Sequence, residues 1–139
     1  MIKHMRLLFL VLFALVGLYI GDTFGPATGL VLHWDFGYPA WLSSYVYYHH
    51  NFQLGMLTSA FSIFAALLFR IHLMVPLGVT LAICCAHFML EPLRVGEPLR
   101  LEYLSMFVPY IIPVAIGILT SVGIYTMLNE TKLAQRLFR

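Results

Sequence analysis

Four separate apolar runs dominate this chain, and each is about as long as a helix must be to cross the hydrocarbon of a bilayer, roughly 20 residues. They lie at about 7–24, 45–69, 73–91 and 105–128. Lipid offers no partner to a loose N–H or C=O, so runs of this kind are expected to be helical. They predict an all-α integral membrane protein. The expected fold is an antiparallel four-transmembrane-helix bundle, one domain over residues 1–139, with membrane lipid as its first partner. Hydrophobic residues make up 61% of the chain and charged residues 10%, against about 25% charged in a soluble domain. That is too little charge to cover a water-facing surface.

The basic residues set an orientation. Lys3, Arg6, Arg70, Lys132, Arg136 and Arg139 fall on one side of the four runs, and Arg94 and Arg100 on the other. The side richer in Lys and Arg is expected to be cytoplasmic. Both termini are therefore predicted there, in a bacterial inner (cytoplasmic) membrane. Lys3 and Arg6 precede the first run as they would in a signal peptide. The run is longer than a signal core, however, and no clean small-x-small site follows, so it reads as an uncleaved first span.

Several functions are set aside. No basic run is long enough for nucleic-acid binding. Cys84 and Cys85 are adjacent on one predicted helix and point in different directions, so no disulfide staple is expected. There is no HExxH or CxxC spacing, no P-loop, no dinucleotide fingerprint and no Ser-His-Asp context.

Two outer connections follow from this topology. The first, about 25–44, is rich in aromatic residues and lacks Lys and Arg. With the start of the next run it holds Trp34, Phe36, Tyr38, Trp41, Tyr45, Tyr47 and Tyr48. They suit an aromatic belt at headgroup depth or a lid over a ligand site. The second holds a repeat, Glu91-Pro92-Leu93-Arg94 then Glu97-Pro98-Leu99-Arg100. Each Glu can reach its own Arg on a helical turn, and each Pro suits a first turn. The pairs read as caps, or as a place where Arg94 and Arg100 meet an anion. On the opposite side, Arg70, Ile71 and His72 form a tight turn, and Pro76 falls in the first turn of the third helix.

Gly17, Gly21 and Gly25 recur every four residues, as do Gly78, Ala82 and Ala86, with a weaker instance at Gly117 and Ser121. Such spacing favours close helix contact in lipid, within one chain, in a homo-oligomer or in a larger membrane complex. Pro109 and Pro113 are expected to bend the outer half of the fourth helix.

The residues that do not belong in lipid are the informative ones. Asp22 lies 15 residues beyond Leu7, and His87 lies 15 beyond His72. Both rise about 22 Å from the cytoplasmic edge. Glu91 stands one turn above His87. His49, His50, Asn51 and Gln53 occupy the outermost turns of the second run, and Tyr103 and Tyr110 the outer half of the fourth. All four helices can thus bring polar groups to one layer near the outer face. Cys84, His87 and Glu91 share one helix face at i, i+3 and i+7.

Three readings of this layer stand open. One is a transition metal held by His50, His87 and Glu91, as helix bundles hold metals, or a heme on His50 and His87; Cys84 or Met89 would tilt a metal toward copper. Another is a pocket for a small organic or lipid-like ligand, lined by Asp22, His50, Asn51, Gln53, Tyr110 and Arg94. The last is a structural hydrogen-bond network. His87 and Glu91 are also the candidate catalytic pair, able to exchange a proton.

In length, number of spans and outer polar layer, the chain resembles the broad set of small four-helix membrane proteins that includes the DoxX-like proteins. Ala86-His87, with a polar residue one turn later, is the local point of similarity. The resemblance is one of topology and implies no site residues. Three functional classes are carried forward: a ligand- or cofactor-binding bundle, a membrane enzyme acting on a lipid- or quinone-like substrate, and an accessory subunit of a larger complex.

Overall fold

A computed structural model describes the backbone of residues 2–36, 40–94, 96, 98 and 101–130, and the side chains of 3–23, 49–94, 96, 98, 101 and 104–129. The described chain is helical: α1 (Ile2–Phe36), α2 (Ala40–Phe69), α3 (Met74–Arg94), a single turn α4 (Leu101–Leu104) and α5 (Phe107–Glu130). Four segments are long and apolar enough to cross a membrane: Lys3–Thr23, His49–Phe69, Met74–Arg94 and Phe107–Asn129.

Paired contacts give the helix directions. Phe9 stacks on Phe69 and Phe13 tilts against Phe64, while Gly17 and Gly21 lie against Thr58 and Leu54. Rising numbers on α1 thus meet falling numbers on α2. Thr80 of α3 bonds Ser62 of α2. Tyr110 of α5 reaches Cys84 of α3. The long helices therefore alternate in direction, and α2 is the hub, packed on both α1 and α5.

Small residues explain that centrality. A Cβ on Gly17 would stand 2.6 Å from the Leu57 carbonyl oxygen, and one on Gly21 would stand 3.1 Å from the Leu54 Cα. A Cβ on Gly55 would collide with the Val114 backbone, and one on Gly117 with the Phe52 backbone. Hydroxyls add directional links. Thr80 Oγ1 donates to Ser62 Oγ at 2.9 Å, and Ser62 Oγ to the Thr58 carbonyl at 2.8 Å. Ser121 Oγ donates to the Met56 carbonyl at 2.7 Å, across the α2–α5 contact. The other small-residue stripe is not used this way. Gly78, Ala82 and Ala86 are exposed, and nothing lies within 4 Å of a Cβ on Gly78.

The α2–α3 connection is a helix stop of known form. The Ile71 N–H bonds the Ala66 carbonyl, the Arg70 N–H bonds the Leu67 carbonyl, and Arg70 takes φ 53°. This is a Schellman cap with arginine in the left-handed position that glycine usually fills. His72 Nδ1 then accepts the Met74 N–H at 3.3 Å, and Pro76 is buried in the first turn of α3.

Several expectations need correction. The first outer connection was expected over about 25–44, yet helical backbone continues to Phe36 and resumes at Ala40. Gly25 and Pro26 lie inside α1. A proline removes one N–H and can bend a helix without ending it. The side chains of Trp34, Phe36, Tyr38, Trp41, Tyr45, Tyr47 and Tyr48 lie outside the described residues, so neither belt nor lid is assigned. Pro92 lies in the last turn of α3, not the first turn of a new helix. Pro109 lies in the first turn of α5, where its missing N–H has no helical partner to lose; Pro113 is interior. The Glu97–Arg100 pair and Tyr103 lie outside the described side chains.

Candidate functional site

Helix α1 delivers Asp22 to the site because Gly21, its neighbour, lets α1 lie close to α2 at Leu54. One turn before Leu54 on α2 come His50 and Asn51. The buried stripe of α3 runs Pro76, Thr80, Cys84, Phe88 and Pro92 at helical spacing. His87 and Glu91 flank that stripe and are half-buried. Tyr110 enters from α5, buried, its hydroxyl donating to the Cys84 carbonyl at 2.7 Å.

These groups meet around one cavity of about 170 Å³, lined by Asp22, His50, Asn51, His87, Phe88, Glu91 and Tyr110. Asp22 Oδ1 lies 3.5 Å from His50 Nε2 and 3.8 Å from His87 Nε2, so one carboxylate oxygen faces imidazoles from two other helices. Both distances exceed a direct N–H···O hydrogen bond of about 2.9 Å. The contacts are electrostatic approaches between half-buried groups. Glu91 Oε1 is held by Arg94 Nη2 at 2.6 Å, on the same helix. His87 is thus within ion-pair reach of Asp22, while the carboxylate one turn above it is engaged by Arg94.

Two polar atoms at this cavity are buried without a hydrogen-bond partner: His50 Nδ1 and Asn51 Nδ2. Asn51 as a whole is only 2% exposed. Leaving a buried donor unmatched costs about 1–3 kcal/mol. Such atoms are therefore rare unless something else satisfies them.

The remaining candidates sit apart. Gln53 does not line the cavity; its Nε2 lies 3.1 Å from His49 Nε2, and its Oε1 is buried without a partner. Arg94 is exposed and lines a neighbouring groove. Cys84 is buried beneath the cavity and is not among its lining residues, and Met89 is exposed. Among the described residues, no group of three His, Cys, Asp or Glu side chains is placed to hold a metal ion.

Sequence reasoning missed Phe88 and Gly55. Phe88 packs on Tyr110 and Phe107, with ring centroids 4.8 and 5.3 Å away, and forms an aromatic wall of the cavity. Its signal was the i, i+4 stripe through Thr80 and Cys84, one residue off the His87–Glu91 face. Gly55 has Ser59 four residues on, the same small-residue spacing as Gly117 and Ser121, and that signal was passed over.

No protein-family model matches the chain, and no match was found among curated proteins or among solved structures.

Proposed function

We propose that this chain is an integral membrane protein of the bacterial inner membrane, with both termini cytoplasmic, and that it binds a small ligand in the cavity between Asp22, His50 and His87. The observation that carries this reading is Asn51 Nδ2. It is an amide donor on an almost fully buried side chain, without a partner, in a cavity that also presents two histidines and two carboxylates. The side chains around the cavity leave this donor unmatched, and an unmatched buried polar group costs more than an apolar one in its place. Ionisable side chains from three helices in one intramembrane layer support the same reading, since such groups in lipid are costly unless used. The cavity has room for one small ring or a compact polar group.

The test is recovery of the protein from native membranes in lipid nanodiscs, followed by mass spectrometry of bound small molecules, metal analysis and an absorption spectrum. A stoichiometric molecule is expected in the wild type and absent from Asp22→Ala and Asn51→Leu, with both variants keeping a cooperative melt. Equal occupancy in all three, or none in any, would remove the proposal. A metal or a Soret band would identify the occupant as a cofactor.

A further inference from the structure

The polar cavity does not stand alone. A groove of about 220 Å³ between α1 and α3 adjoins it, and His87 and Glu91 line both. Away from those two residues and Arg94 at its end the groove is apolar: Leu15 and Leu18 on one side, Ile83, Ala86 and Leu90 on the other. Leu15 is 43% and Leu90 58% exposed, so the groove opens sideways to whatever surrounds the helices. The small side chain of Ala86 leaves the space.

Depth gives the groove a direction. Leu15 and Leu18 precede Asp22 on α1, and Ile83 precedes His87 on α3. Both helices ascend toward the polar layer. The apolar end of the groove therefore lies nearer the bilayer centre than the cavity, and Arg94 marks its outer end. From Ile83 to Arg94 the groove follows about 16 Å of helix. A molecule with its head in the cavity and a chain in the groove would lie as amphiphiles do in a leaflet, head outward and tail inward.

The cavity also selects the head. Asp22 and Glu91 already present two carboxylates, which disfavours a phosphate or fatty-acid head. The unmatched Asn51 Nδ2 donates to an oxygen acceptor, and the imidazoles of His50 and His87 can each donate or accept. Phe88 and Tyr110 supply aromatic surface on one side. An apolar cavity of about 150 Å³ holds a benzene ring, so about 170 Å³ suits one six-membered ring with oxygen substituents.

We infer that the ligand is a neutral, single-tailed amphiphile of the quinone or quinol type. Its ring is held by Asn51, His50 and His87 against Phe88, and it enters from the lipid through the α1–α3 groove past Ala86. This rests on the ligand-binding reading above and adds the head chemistry and the route. The tail gains little from leaving lipid for the groove, because both are apolar. Its role is to hold the ring at the right depth, with a clear exit for the chain.

The experiment uses the full chain in nanodiscs and a decyl-substituted benzoquinone, with a second form carrying a diazirine on the chain. Saturable binding is expected, at least tenfold weaker in Ala86→Phe, with photolabelling at Leu15, Leu18, Ile83 or Leu90. Ala86 is exposed, so the substitution meets no core; if its melt is lost, Leu90→Trp fills the same groove. An unchanged dissociation constant in both groove variants, labelling confined to α2 and α5, or equal binding of decanoic acid would each overturn the inference. If the benzoquinone fails while Asp22→Ala still sheds a co-purified molecule, the head and route are wrong and the cavity reading survives. If neither binds, both fall.

Discussion

Asp22 Oδ1 stands 3.5 Å from His50 Nε2, joining α1 to α2 at the level of the cavity. The two side chains are 32% and 22% exposed, so the pair is partly screened. Its worth to the fold is modest, about 1 kcal/mol or less. Its worth to the proposed ligand is expected to be larger, because one carboxylate oxygen faces both imidazoles. Asp22→Asn keeps the shape and removes the charge. It should lower the unfolding free energy by no more than about 1 kcal/mol while reducing ligand occupancy at least tenfold. Melting and occupancy, measured on one nanodisc preparation, check this; a large loss of stability with full occupancy would make the pair structural.

How much of this site was legible in the sequence depends on what sets each coordinate. Depth was legible because helical rise is fixed: equal offsets from Leu7 and His72 put Asp22 and His87 at one level, and they lie 3.8 Å apart. Rotation about the helix axis was less so. Cys84, His87 and Glu91 share a face at their spacing, yet the buried stripe passes through Cys84 and Phe88, leaving His87 to one side. Partners of charged groups were legible only along one helix. The repeat already let Glu91 reach Arg94 on a helical turn, and Arg94 lies 2.6 Å away; the spacing equally allowed Glu91 to serve His87 in proton exchange, and nothing in it decided between the two. The ends of α1 and α2 were misjudged because glycine, proline and aromatics mark a membrane boundary without having to end a helix.

The glycines should separate cleanly by environment. A Cβ on Gly55 meets the Val114 backbone, which cannot rotate away, so Gly55→Ala must push α5 off α2. The expected cost is about 1–3 kcal/mol. Gly78→Ala meets nothing within 4 Å and should be neutral or stabilising by up to about 1 kcal/mol, the helix propensity of alanine over glycine. Reversible unfolding in mixed micelles measures both. Equal effects would mean that the α2–α5 contact is not this close.

The Thr80–Ser62 hydroxyl pair, 2.9 Å apart and fully buried, is a polar link between α2 and α3. Each hydroxyl has an alternative, since Ser62 also donates to the Thr58 carbonyl and Thr80 can turn to the carbonyl four residues back. Thr80→Val, Ser62→Ala and the double variant should therefore give a coupling energy of about 0.6 kcal/mol, as for interhelical hydrogen bonds in lipid generally. A coupling several times larger would show that neither hydroxyl can use its alternative.

Arg70 holds φ 53° at the α2 cap, a conformation in which an L side chain crowds its own backbone. The two cap hydrogen bonds, from Ile71 to Ala66 and from Arg70 to Leu67, use only backbone atoms and do not depend on the arginine side chain. Arg70→Gly should therefore relieve about 1 kcal/mol of strain and raise the melting temperature. Arg70→Val, β-branched, should lower it by at least as much. The arginine has a second role in the proposed topology, because it is the cation of a short cytoplasmic turn and favours the assigned orientation. Reporter fusions at both termini of Arg70→Gly separate the two roles: the fold should gain stability while the termini stay cytoplasmic, held by Lys3, Arg6 and the C-terminal cations. A melt that falls in Arg70→Gly would mean that the side chain, and not the left-handed backbone, determines stability at this cap.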